Sequence, residues 1–446
     1  MTQTLTPLER YADDFRATLG QGPGWLQQIR EGAFAYFQEV GFPTARHDNE
    51  PWKYTNVDPI ASREFTLAPP LVAEPAVEDL ASVAPWCTVW HELVFINGRY
   101  SPSLSASPAT HEPRAGLGRV VVQNLSQAME SHEGVIRKHM TSLIKPDYDG
   151  FASLNTAFLS DGAYIYAPDG EEASTHIHLL FATVPGGEPI VSHPRTLIVA
   201  GRQSKLTVIE SYVSLDGSAY LNNAVTEIAL EDGAHVDHYR VLLDHGAYHV
   251  GTTRVEQDRD SSFRSTSFAT GPALARNDFG VRLGVAGAEC RLNGLYVTAG
   301  TQHIDNLLNI DHAAPHCTSR LSYKGILDEQ SRAVFGGLVL VRPGADKTDA
   351  YQSDKNLVLS DGAEVDSKPA LEIYADDVIC GHGATAGAVA EDALFYMRSR
   401  GIDETTANEL LIRGFASDIL DGVIEPLREY LGKQVVQALP RFRDGD

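Results

Sequence analysis

Cysteine is scarce in this chain. Four occur in 446 residues, Cys87, Cys290, Cys317 and Cys380, too few for a disulfide scaffold at this length. No two form a Cys-x-x-Cys pair, which excludes a self-contained zinc knuckle, so any metal chemistry has to borrow ligands from far along the chain or from another chain. No apolar run approaches the ~18 residues that a membrane span needs. Met1 to Phe15 carries Glu9, Asp13 and Asp14 and holds no apolar stretch of signal-peptide length. Positive charge is short as well. Lys plus Arg number 36 against 59 Asp plus Glu, a net charge of −23, which argues against a nucleic-acid partner held through phosphates and against an anionic membrane. A Gly-x-x-x-x-Gly-Lys-Ser/Thr phosphate loop is missing, so nucleotide energy has to come through a partner. These absences lead us to expect a reduced cytoplasmic protein.

What is present suffices to fold: 43% of residues are hydrophobic and 21% charged, and the length exceeds one ordinary domain. The N-terminal region (1–66) reads as helical. Thr6 serves as N-cap, Pro7 opens the helix, Glu9 completes a capping box and Gly20 stops it, with Leu8, Tyr11, Ala12, Phe15 and Leu19 as its stripe. A second stripe, Leu26, Ile29, Ala33, Tyr36 and Phe37, follows Pro23 and completes a helical hairpin. Residues 67–153 read as a linker and mixed α/β segment. Four prolines and many alanines over 67–85 suit an extended connection, and 125–144 suits a helix.

From 154 to 388 helical periodicity gives way to short extended runs, at 206–213, 224–230, 281–285, 291–297, 334–341, 357–360 and 371–375. Turn signals such as Asp216-Gly217, Asp232-Gly233 and Asp361-Gly362 separate them. Many short strands without intervening helices leave a sandwich, a barrel or a β-solenoid, and the size of the block favours the solenoid. Helical patterns return over 389–446. One helix ends at Gly401, Asp403 caps the next, with Leu411, Phe415 and Ile419 on one face, and a last helix stops before Pro440.

Chemistry concentrates in 371–385. On an extended chain Cys380 and His382 lie two positions apart and share a face, while Gly381 and Gly383 leave room for another backbone, a cluster or a partner surface. A competing reading makes Cys380 a small packing residue and His382 a turn residue. Other constellations carry less. His176 and His178 would share a strand face without a third ligand, His312, His316 and Cys317 match no standard metal loop, and Asp376 and Asp377 point to opposite faces and cannot flank one glycosidic bond.

Four segments give the chain a family likeness: Trp52-Lys53-Tyr54-Thr55, the run 368–378, the Cys-x-His-Gly-Ala-Thr run at 380–385, and 393–401 with its Phe395-Tyr396-Met397-Arg398. Together they resemble the SufB/SufD family of iron–sulfur cluster assembly scaffolds. The SufB branch typically carries Glu-His-Glu-Ala-Thr where this chain has Gly381-His382-Gly383-Ala384-Thr385 behind Cys380, which puts the resemblance on the SufD side. The resemblance implies a mainly β fold, a right-handed parallel β-helix core flanked by helical N- and C-terminal regions. It implies a SufB partner in a heterodimer, the ATPase SufC, and a homodimer when the chain is isolated. It also implies a non-enzymatic scaffold role, with supply of iron, and a transient iron–sulfur cluster or iron shared with SufB. Cys380 and His382 become the candidate metal ligands, because iron suits a thiolate and an imidazole. The competing functional class is a β-helical polysaccharide hydrolase or lyase. It lacks an export signal and a carboxylate cleft in this sequence. A homodimeric binding protein with no metal role is a third.

Overall fold

The computed structural model describes residues 7–46, 48–69, 73–105, 116–184 and 186–440. Its centre is a parallel β-solenoid of about 8 turns. Each turn contributes one strand to each of two sheets. The first sheet runs in order through Ala163–Ala167, Arg195–Ala200, Leu221–Leu230, Tyr248–Gln257, Leu274–Leu283, His303–His312, Arg332–Val341 and Glu364–Ile373. The second runs from His91–Ile96 through Ile177–Thr183, Lys205–Ser214, His235–Leu243, Ser262–Thr270, Glu289–Thr298, Thr318–Leu327 and Asp349–Val358 to Ile379–Gly387. Strands stack in register over most of their length. Tyr248 pairs with Leu274 and Arg332 with Glu364, so one turn of this sheet consumes 26 to 32 residues here.

Period-two alternation sends one set of side chains into the solenoid. Leu206, Val208, Val236, Leu292, Leu308, Leu321 and Phe335 belong to that interior core. Two tyrosines show how tightly the rungs fit. Gly294 registers with Tyr323 and Tyr296 with Gly325. A Cβ on Gly294 would overlap the Tyr323 ring, and one on Gly325 the Tyr296 ring. Each ring therefore occupies the space that the neighbouring rung's glycine leaves open.

The outer faces are covered differently. N-terminal helices Pro7–Thr18 and Gly24–Val40 pack with Gly150–Ala157 through Tyr11, Phe34, Phe37, Phe151 and Phe158 and reach the first sheet at Val191, Leu221 and Val250. The expected stripe is partly realised, since Tyr11 and Phe15 are buried but Leu19 is exposed. The expected N-cap Thr6 lies outside the described residues. On the second sheet, helices Glu404–Leu420 and Leu427–Gln437 bury Ile412, Ala416, Ile419, Leu427 and Leu431 against Val241, Phe268, Leu295 and Ile326. Lys324 fixes this contact by donating to the Phe415 carbonyl and the Asp418 carboxylate, at 2.7 and 2.6 Å. Asp403 does cap its helix, accepting from the Thr406 N–H at 2.9 Å.

Two readings of local structure change. The Pro- and Ala-rich connection contains a helix, Val77–Val83, started by the Asp79 carboxylate, which accepts from the Ala76 N–H. The single helix expected over 125–144 is two, Leu125–Ser131 and Glu133–His139, broken at His132. No helix among the described residues is long and apolar enough to cross a membrane.

Candidate metal and partner site at the last rung

The two ends of the solenoid are finished unequally. At the first end, short antiparallel strands finish the sheets: Val121–Asn124 pairs with Ala163–Ala167, and Arg99–Tyr100 with His91–Ile96. At the other end, Glu364–Ile373 and Ile379–Gly387 are terminal, each paired on one side only. Such an edge offers unpaired backbone donors and acceptors. Its rim is apolar. Ile379 is 76% exposed, and Tyr374, Tyr351 and Ile373 are exposed beside it.

Cys380 and His382 sit on this last strand. Cys380 registers with buried Ala350 and packs, half-buried, against the interior core. His382 registers with buried Gln352 and shares the inward face of Cys380 by alternation, yet it is exposed because no further rung covers it. The sequence reading of a shared face therefore holds. The flanking glycines have a local explanation as well, since a Cβ on Gly381 would stand 3.2 Å from the Tyr351 ring. Burial pushes the Cys380 thiol above its ordinary pKa and Asp349 adds to this, while a backbone hydrogen bond at Ala350 opposes it. The thiol is thus protonated until a metal or a cation displaces the proton.

Beneath this strand the interior turns polar, a feature that sequence reading missed. The Asp354 carboxylate accepts from Ser367 Oγ and Asn356 Nδ2 through one oxygen, both at 2.7 Å. Its other oxygen has no hydrogen-bond partner. Burial lifts its pKa to about 6, against the pull of those two hydrogen bonds. Gln352 donates to the Ala370 carbonyl at 2.8 Å and so ties the strand Asp349–Val358 to the terminal strand of the first sheet.

The remaining sequence candidates separate. His178 is fully buried: Nδ1 lies 2.6 Å from the Glu92 carboxylate and Nε2 lies 2.9 Å from Ser211 Oγ. His312 is buried against Ser319 Oγ at 2.8 Å, and burial lowers its pKa to about 4. Cys317 donates to the Val285 carbonyl. Asp377 forms an ion pair with Lys347 in the turn before the last strand and flanks no cleft with Asp376. Among the described residues no three His, Cys, Asp or Glu side chains gather as a ready metal site. The last rung supplies at most two soft donors, so a metal there has to be completed from elsewhere.

The parallel β-solenoid thus finishes in short antiparallel strands at one end and, at the other, in long strands paired on one side only, one of which carries a thiol and an imidazole. Comparison with known proteins identifies its family. The family model for the SUF system FeS cluster assembly SufBD core domain matches residues 183–415, and that for the SufBD protein N-terminal region matches residues 10–179. The chain belongs to the SufBD family of iron–sulfur cluster assembly proteins. It is 33% identical over 422 residues to a SufBD family iron–sulfur cluster assembly protein of Synechocystis, covering 92% of this chain and 89% of that one. It is 29% identical to the iron–sulfur cluster assembly protein SufD of Escherichia coli, with 90% of each covered. Identity to SufD of Bacillus subtilis is 26%, with 94% of each covered. The carbohydrate-active reading is left without support.

Proposed function

We propose that the chain is the SufD-type scaffold subunit of the SUF machinery, non-enzymatic itself, pairing with a SufB-type chain through its last rung and acting with the ATPase SufC in the cytoplasm. The observation that carries this is the unpaired edge of Ile379–Gly387 with Cys380 and His382 on one face. A second chain adding to that edge would satisfy its backbone groups and cover Ile379 and Tyr374. It would also bring the donors that a two-residue set lacks. The iron or nascent cluster is then cargo held across the interface. His382 is the ready ligand, because it is exposed. Cys380 is conditional, because its thiol is held protonated. An isolated chain would cover the same edge with a second copy of itself.

The test is His382→Ala, expressed with SufB and SufC. His382 makes little core contact, so the complex should assemble as wild type while iron and sulfide content falls by more than half. Cys380→Ser should have a smaller effect. Wild-type cluster content in the assembled His382→Ala complex would refute the ligand role, and failure of that complex to assemble would return the residue to a structural one.

A further inference from the structure

A cavity of about 770 Å³ lies between the N-terminal region and the outer face of the last four strands of the first sheet, apart from Cys380 and His382. Its walls include Trp52, Tyr54, Lys368 and Glu372. Two of the four segments that carry the family likeness, 52–55 and 368–378, therefore meet here, beside the Glu50–Lys368 ion pair.

Arg276 is the unusual member of the wall. It is 1% exposed. Its Nη1 is spent on the Asp305 carboxylate, and its guanidinium carbon lies 3.9 Å over the Trp52 ring. Nε and Nη2 have no hydrogen-bond partner. Those two nitrogens form one side of the guanidinium plane, and their N–H bonds run parallel, the spacing that two oxygens of a carboxylate match. A buried guanidinium with that edge unspent is costly and calls for an acceptor. Five carboxylates besides Asp305 line the wall. Glu372 is one; Asp149 lies in the field of Arg276 but caps the helix Gly150–Ala157, accepting from the Ala152 N–H at 2.7 Å; the other three are paired. Asp278 is held by Arg254 at 2.8 Å, Asp366 by Arg332 at 2.6 Å, and Glu50 by Lys368. Thr55 Oγ1 donates to Asp305 at 2.5 Å and fixes the Nη1 side. The rest of the wall is largely apolar and aromatic, with Tyr36, Tyr148, Leu307 and Leu338, and the volume falls in the range of small-molecule sites.

We propose that this cavity binds a small organic acid, whose carboxylate takes the Nε/Nη2 edge of Arg276 and whose apolar or aromatic body lies against Trp52 and Leu338. The edge is shut off from solvent, so a rotamer shift of Arg276 or of the Trp52 ring admits the carboxylate. This site is separate from Cys380 and His382 and stands or falls without them.

The test uses the full chain and 2-naphthoate as the probe, with binding measured by calorimetry. One saturable site is expected. Arg276→Lys keeps the charge but loses the two-pronged edge, and should weaken binding at least ten-fold. 2-Naphthalenemethanol, with the same ring and no carboxylate, should not compete. Leu338→Trp, which fills the cavity from two strands along the same sheet and leaves Arg276 untouched, should abolish binding even if the arginine variant folds poorly. Absence of saturable binding, equal affinity in Arg276→Lys, competition by the alcohol, or binding retained in Leu338→Trp would each overturn the assignment.

Discussion

Asp354→Asn should make the protein more stable at neutral and alkaline pH and leave it unchanged in acid. The carboxylate is fully buried on the last covered strand of the second sheet. No lysine, arginine or histidine among the described residues pairs with it, and one of its oxygens has no partner. Burial raises its pKa from 3.8 to about 6. A folded-state pKa above the unfolded one favours the native state while the group is protonated. That advantage is complete below pH ~3.8 and is lost as pH rises through about 6. A shift of roughly two units corresponds to about 3 kcal/mol at pH 8, taken as an upper figure. Asparagine has the same shape, carries no charge, and keeps one oxygen to accept from Ser367 and Asn356. The difference between variant and wild type should thus be near zero at pH 4 and grow to as much as about 3 kcal/mol in favour of the variant at pH 8. Urea unfolding at pH 4, 6 and 8 measures this, and taking the difference cancels every other titrating group. Hydrogen exchange of 349–358 and 364–373 localises it, which matters because solenoids can open from their ends. A difference that stays flat with pH, or favours wild type at pH 8, would refute the reasoning.

Gly294→Ala should destabilise by about 1–3 kcal/mol, since its methyl meets the Tyr323 ring on the next rung. Combining it with Tyr323→Leu should recover part of that loss, and strict additivity of the two would contradict the contact. Helix Glu391–Ser399 has no buried residue, with Phe395 74% and Tyr396 59% exposed. Phe395→Ser with Tyr396→Ser should therefore abolish SufC capture while the melting temperature stays within about 2 °C of wild type, surface changes of this kind costing little. SufC retained at wild-type level would remove this helix from the docking surface.

How far the fold could be read from the chain depended on what points into the solenoid. Strands with aliphatic interiors, such as those around Leu206 and Val208 or Val339 and Val341, alternate visibly and were legible. The three strands over 235–270 were not. They bury His238, Arg240, His249, Thr253, Gln257, Ser265 and Ser267. Arg240 donates to Asn277 at 3.0 Å and lies 2.7 Å from His249, whose other ring nitrogen is 3.1 Å from Asp244. Buried polar groups that satisfy one another erase the apolar alternation on which strand recognition rests. The repeat was hidden because corners of unequal length make the turns unequal. At the site, the shared face of Cys380 and His382 follows from spacing two and was visible. Gln352, Asp354 and Tyr351 reach it only through pairing across some thirty residues, which no local pattern encodes.

The unequal ends give the chain a direction for assembly. The first end finishes in antiparallel strands only four and two residues long, which offer little edge to extend, so a strand-adding partner is steered to the last rung. There, covering Ile379 and Tyr374 would contribute on the order of 1.5–3 kcal/mol for each large side chain fully buried, before the losses of association. The same covering would take His382 out of water and place it over an interior that already holds a carboxylate without a cation. Desolvation strengthens attraction between a metal ion and such a wall and removes water as a competing ligand. On the proposed reading, a joined interface holds its cargo and a parted one exposes it to solvent. Any motion driven by a nucleotide-hydrolysing partner has to act on the edge of Ile379–Gly387 to change which of the two prevails.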